Sequence, residues 1–213
     1  MKTLEQKILD GLSAMYAQPR CELNFRTPFQ LLVAVILSAQ CTDKRVNQIT
    51  GPLFVRYPTV NDFTCLTPAD LKPFIYSCGF YNTKANSIID SAKRIAEVFG
   101  GEVPRTMEEL LTLPGVGRKT ASVVLAVAFN IPAIPVDTHV FRVAKRLGIS
   151  DGNDPDEVER HIAQRFPKDT WIGLHHGLIF HGRYTCKSQK PLCPGCLLKD
   201  LCAEGPQQLA CGG

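Results

Sequence analysis

Leu113-Pro114-Gly115-Val116-Gly117-Arg118-Lys119-Thr120-Ala121 is the stretch on which the reading of this chain turns. A short amphipathic segment ends at Leu113, two glycines make a turn, and a second apolar-periodic segment runs from Arg118 to about Phe129. Helix, tight turn, helix is the expected local structure. Glycine permits positive φ and lets a ligand approach the backbone closely. Amides in the turn and in the first turn of the new helix have no partner four residues back. Pointing outward, they would make an anion site suited to a nucleic-acid phosphate. An ordinary αα-hairpin turn would have the same outline, but Arg118 and Lys119 behind the glycines favour an anionic partner.

Lys119 sits in the first turn of the second helix, where its charge opposes the dipole, and Arg118 adds like charge. Both effects favour the neutral amine, which is a nucleophile. A plain phosphate contact is the alternative role.

Working outward, the periodicity is helical nearly throughout. Leu4, Ile8, Leu12 and Met15 share one face. Helices are expected over Pro28–Ala39, over Pro68–Cys78 with Gly79 as its stop, from a cap at Asn82 or Thr83 to Phe99, and over Thr106–Leu111. Thr138–Leu147, Pro155–Phe166 and Trp171–His181 read as three more. No strand alternation is convincing, so the fold class is all-α. Ile131–Val136 carries Pro132 and Pro135 and reads as an extended linker between two domains. Asp137 follows it in Asp137-Thr138-His139-Val140-Phe141-Arg142. It is an expected N-cap, and a carboxylate at a helix mouth can also face a cleft.

The C-terminal spacing Cys186-x6-Cys193-x2-Cys196-x5-Cys202 puts four thiols into 17 residues. Thiolates are soft donors, and four together suit tetrahedral zinc or an iron–sulfur cluster. Only Cys193 and Cys196 form a short pair, unlike a typical zinc ribbon, and the spacing also differs from common ferredoxin runs, so thiols alone leave the metal open. The chain has 213 residues, 45% of them hydrophobic, and a formal net charge of +4. That is ample for a sizeable core, and mildly basic, as for a polyanionic partner. The N-terminus lacks a signal-peptide run, and the longest apolar runs, Leu31–Leu37 and Val123–Phe129, are seven residues each. A soluble, cytoplasmic protein in a reducing compartment is expected. There Cys21, Cys41, Cys65, Cys78 and Cys211 would be free thiols; nine cysteines are an odd count in any case. The histidines include no His-Glu-x-x-His motif, so a histidine metal site is not expected.

Together these segments resemble endonuclease III, a family of bifunctional DNA glycosylases of base-excision repair. Leu37–Asp43, Gly79–Ala85, Gly101–Pro104, Leu113–Ala121, Val136–Arg142, His181–Cys186 and the four cysteines fall in the family's order. The resemblance identifies 113–121 as a helix–hairpin–helix motif. It implies two helical domains flanking a DNA-binding cleft. One is a six-helix barrel over 22–131. The other joins 1–21 to 132–213 and carries a [4Fe–4S] cluster on Cys186, Cys193, Cys196 and Cys202. It implies Lys119 as nucleophile and Asp137 as catalytic carboxylate. Gly115, Val116, Gly117 and Arg118 would meet phosphate. Gln40 would fill the hole left by the extruded nucleotide, and Phe80 would be the apolar wedge, where leucine is more usual. Cys41 stands where a small alanine is often found. Lys187 and Lys190, in the loop between the first two cysteines, would add salt-sensitive contacts or simply be solvated. The implied partner is duplex DNA with damaged bases or abasic sites, acted on by a cytoplasmic monomer, nucleoid-associated if bacterial. A mismatch glycosylase with the same cluster and a non-enzymatic zinc-stapled DNA-binding module are the rival readings. Lys119 opposes the adenine-mismatch version of the first, and Lys119 with Asp137 opposes the second.

Overall fold

A computed structural model describes residues 2–204, and every regular element among them is helical. The chain divides into two compact units, Glu22–Ile131 and the combination of Met1–Cys21 with Pro132–Gly213. Cys211 lies outside the described residues.

Helix α1 (Leu4–Met15) belongs to the second of these. Thr3 caps it, its hydroxyl accepting the Gln6 amide at 3.2 Å. The chain then builds the whole of Glu22–Ile131. Helix α2 (Pro28–Ser38) starts on a Thr27 cap with Pro28 in its first turn. Every residue from Phe29 to Leu37 is buried, so this helix is core on all sides. Helix α3 (Asp43–Arg56) was not expected, because Gly51-Pro52 interrupts its sequence. Its buried residues Val46, Ile49, Thr50 and Leu53 nevertheless keep helical spacing. The short α4 (Val60–Thr64) was also not expected; Thr59 and Asp62 close a capping box there.

Helix α5 (Pro68–Ile75) ends well before Gly79, which is therefore not its stop. Helix α6 (Tyr81–Val98) is not capped by Asn82 or Thr83. Its N-cap is Phe80 in the left-handed region, at φ 57° and ψ 32°, with no side-chain cap bond. Its stripe of Ala85, Ile88, Ile89, Ala92 and Ile95 is buried. The single turn α7 (Met107–Leu110), capped by Thr106, leads through the glycine turn into α8 (Arg118–Ala128).

After the linker come α9 (Thr138–Arg146), α10 (Pro155–Arg165) and α11 (Trp171–Phe180). With α1 they enclose a core that includes Ile8, Leu12, Val140, Val143, Ile162, Leu174 and Leu178. Helix α11 runs directly into a π-helical turn, His181–Thr185, closed by the Cys186 amide on the His181 carbonyl at 2.6 Å. The expected end at His181 thus misses a widened turn that hands the chain to the first cysteine. No described helix is long and apolar enough to cross a membrane.

Candidate functional site

The hairpin is held from inside Glu22–Ile131. The Leu113 amide donates to Leu110 O and the Val116 amide to Leu113 O, both at 3.1 Å. Ser91 Oγ donates to the Pro114 carbonyl at 2.8 Å. Gly115 has φ +74°, and a Cβ there would meet Ser87 Cβ at 2.5 Å and Oγ at 2.7 Å. Glycine is required twice over, for the backbone angle and for the approach of α6. Gly117 differs from expectation. It is the N-cap of α8 at φ −93°, an angle open to any residue, and a Cβ there would meet nothing within 4 Å. Its lack of a side chain keeps the mouth of α8 open and does nothing for the turn itself. Val116 is buried and its amide is used within the turn. The start of α8, which opens on Gly117, adds further outward-facing amides to the turn. The first bond inside that helix is Ala121 N–H to Gly117 O at 3.0 Å, so the amides of residues 118–120 precede it. Arg118 and Lys119 are both exposed there.

Two further turns of the same unit carry Gln40 and Phe80. Both residues are exposed, Phe80 by 67%, and both hold left-handed backbone, at φ 55° and 57°. Between these turns Cys78 Sγ, buried, lies 3.7 Å from Cys41 Sγ. Burial, reinforced by Cys41, pushes the Cys78 thiol up to about 11.

In the other unit, Asp137 is the N-cap of α9. Its Oδ1 accepts the amides of His139 at 2.9 Å and Val140 at 2.8 Å. Arg142, on the same helix, donates to the Gly182 carbonyl at 2.8 Å and through two nitrogens to the Cys186 carbonyl at 3.1 and 3.2 Å. One short helix thus presents the aspartate and braces the first cysteine. Sequence analysis passed over Arg142; its place five residues past the cap, in a helix otherwise read for its apolar face, was the only signal.

Cys186, Cys193, Cys196 and Cys202 line one cavity, with Arg146, Leu147, His181, Thr185, Pro191 and Lys199. Arg146 Nη1 lies 3.4 Å from Cys186 Sγ and donates to the Lys187 carbonyl at 2.7 Å. Cys202 Sγ donates to the Arg146 carbonyl at 3.1 Å. His181 Nε2 is 3.7 Å from Cys196 Sγ, and Tyr16 OH meets the other ring nitrogen at 3.2 Å. Burial pushes that imidazole down to about 4, so it is neutral at ordinary pH. The Cys196 thiol is pushed up, first by burial and then by the charges of Cys186, Cys193 and Cys202. Four thiols around one cavity are a donor set that suits a cationic core. Among the described residues no three His, Cys, Asp or Glu side chains are grouped as ligands for a single ion. As soft donors lining one cavity, the four cysteines fit a zinc or iron–sulfur centre. Lys187 and Lys190 are exposed on the loop above it.

A model of the HhH-GPD superfamily of base excision DNA repair proteins matches residues 33–168. Endonuclease III of Bacillus subtilis (strain 168) is 50% identical over 201 residues, covering 94% of this chain and 92% of that protein. A structure described as a trapped endonuclease III–DNA covalent intermediate, an estranged-adenine complex, superposes with a TM-score of 0.92. It is 47% identical and covers 98% of this chain and 100% of its own. A non-covalent endonuclease III–DNA complex gives the same TM-score at 46% identity, with 99% and 100% covered. The chain belongs to the HhH-GPD superfamily and, within it, to the endonuclease III family. Membership makes it a base-excision-repair enzyme of the DNA glycosylase/AP lyase class.

Proposed function

We propose that this chain removes oxidised pyrimidines from duplex DNA through an imine on Lys119 and then nicks the strand by β-elimination. The observation that carries the reading is the exposed Lys119 at the open mouth of α8, directly behind the glycine turn. A relative trapped as a covalent complex with DNA supports a nucleophilic enzyme.

The amides at the start of α8, with Arg118, hold a backbone phosphate. A paired base is out of reach, so the nucleotide must leave the stack, at about a few kcal/mol. Phe80, largely exposed, wedges the step, and Gln40 occupies the vacated place. The neutral amine of Lys119 attacks the sugar C1′; the C1′–N bond breaks and the base leaves with its electron pair and a proton. The ring opens to a protonated imine on C1′, which acidifies the C2′ protons. Loss of one C2′ proton expels the 3′ phosphate from C3′, and water on C1′ then frees Lys119. Asp137 stabilises the positive charge that develops on the sugar and assists the proton transfers. One oxygen already serves two amides, which fixes the carboxylate's orientation.

Cys186, Cys193, Cys196 and Cys202 hold a [4Fe–4S] cluster in this reading. When bound, the cluster supplies a rigid inorganic cross-link for a segment with little core of its own. Lys187 and Lys190 add salt-dependent affinity for phosphate. Action on genomic DNA supports a cytoplasmic location, nucleoid-associated if the source is bacterial.

Borohydride trapping on a duplex with one oxidised pyrimidine tests the reading. A covalent protein–DNA adduct is expected with the natural chain and none with Lys119→Ala, which should still bind DNA. Base release without an adduct would mean a monofunctional glycosylase and would overturn the imine.

A further inference from the structure

Lys84 lies in α6, four residues past Phe80, and is only 6% exposed. Its Nζ donates to the Leu37 carbonyl at 2.9 Å and to the Ala39 carbonyl at 2.6 Å. These carbonyls belong to the end of α2 and to its C-cap, directly before Gln40. The last carbonyls of a helix have no partner within it, and a cationic donor there also meets the negative end of the dipole. The backbone of the same residue serves the other turn: Lys84 N–H donates to the Phe80 carbonyl at 3.0 Å, the bond that starts α6. One residue therefore grips both turns, by its side chain on the Gln40 side and by its amide on the Phe80 side.

The two turns need such a grip. Gln40 and Phe80 are left-handed without being glycine, and that backbone persists only where its surroundings impose it. The turns are also in contact: a Cβ on Gly79 would meet the Gln40 carbonyl oxygen at 3.8 Å, and Cys78 reaches Cys41. A buried lysine spent on two backbone carbonyls is a costly way to fill a core that a methionine could fill. Its donors are what the site uses.

We propose that Lys84 is a positioning residue that holds Gln40 and Phe80 as a single jaw, so that wedge and plug enter the duplex together. The proposal rests on the reading of Gln40 and Phe80 given above. Lys84 touches neither the DNA nor the reacting sugar. Its contribution is confined to opening the base pair, and it matters less where the lesion is already unpaired, because the unstacking cost is smaller there.

The test is single-turnover base release from two substrates, an oxidised pyrimidine paired in a duplex and the same lesion in a mismatched bubble. Lys84→Met should slow the paired substrate by roughly tenfold or more and the bubble by about twofold at most. Lys84→Arg, which restores donors to both carbonyls, should recover most of the paired rate. In a Gln40→Ala/Phe80→Ala background, adding Lys84→Met should slow the paired substrate by no more than about twofold, since a residue acting only through those two has nothing left to position. Equal slowing on both substrates, or a penalty that multiplies with the double variant, would make Lys84 a general structural residue and overturn the proposal. If Lys84→Met does not fold, Lys84→Gln keeps one donor and should show a smaller loss confined to the paired substrate; a loss shared by both overturns it equally. A full paired rate in the double variant would remove Gln40 and Phe80 from base opening, and the proposal with them. A slow double variant beside a fast Lys84→Met would overturn the proposal alone.

Discussion

The glycine hairpin and the cysteine segment are built on opposite principles. The hairpin is held in protein terms: the Val116 amide is bonded and its side chain buried, Ser91 holds Pro114, and Gly115 lies against Ser87. What it leaves open is one helix mouth with two cations. The cysteine segment has short 3₁₀ turns at Cys193–Gly195 and Lys199–Leu201, and its one fully buried apolar side chain is Leu198. That side chain fills the space where Gly11 has no Cβ. Its four thiols line one cavity. A region that folds on hydrogen bonds and packing can present a site without its ligand. A region whose core is a donor set needs the ligand in order to be a region at all.

Changes at the cysteines should therefore do the most damage. Cys196→Ser is expected to lose iron, the brown absorbance near roughly 400 nm and most of the soluble yield; unchanged iron content would break the contrast. Lys119→Ala, at the hairpin, should abolish base release and strand cleavage while leaving the melting temperature within a few degrees, as circular dichroism would show. The cap of α9 separates charge from structure. Asp137→Asn keeps an N-cap acceptor and should cost less than about 1 kcal/mol in stability, yet slow single-turnover base release by about a hundredfold or more. A normal rate would reduce Asp137 to a helix cap. Within the hairpin, Gly115→Ala should cost about 2–3 kcal/mol in denaturant unfolding, from the left-handed backbone and the clash with Ser87. Gly117→Ala should cost less than about 1 kcal/mol, since neither penalty applies, but weaken DNA binding. Equal destabilisation would undo the distinction drawn between the two glycines.

The smallest effect expected is alkaline. An ordinary thiol ionises near 9.0, and Cys78 in the folded chain holds its proton to about 11. A group whose acidity is suppressed by folding favours the folded state less as the unfolded thiol ionises. The Cys78 contribution is thus full below pH 9 and declines between 9 and 11. The melting-temperature advantage of the natural chain over Cys78→Ala should shrink across that window; a constant difference would show that the thiol is not held protonated.

Periodic apolar faces made α1, α6, α8, α9 and α10 legible, because 3.6-residue spacing leaves a mark whenever one face is buried, while α2 was legible as an unbroken apolar run. Helices α3 and α4 were illegible for local reasons: Gly51-Pro52 lies inside one, and the other is a single capped turn. The cap of α6 was misplaced for the same reason. Asn82 and Thr83 have the right chemistry, yet the helix begins on Phe80, whose left-handed angle no propensity favours. Gly115 and Gly117 looked alike, and only the approach of Ser87 tells them apart. Lys84 falls within the family-like stretch Gly79–Ala85 and carries no role there, since nothing in its neighbours along the chain marks it as buried.

Residue type and spacing along the chain determined the all-α class, the glycine turn with Lys119 behind it, the Asp137 cap and the four-thiol set. Each of these is a matter of local backbone geometry or donor chemistry. Tertiary structure alone decided which glycine is indispensable, that the thiols line one cavity braced by Arg142 and Arg146, and that Lys84 joins the turns of Gln40 and Phe80. Those facts depend on side chains from distant segments sharing a few ångströms of space, a distance that sequence separation does not encode.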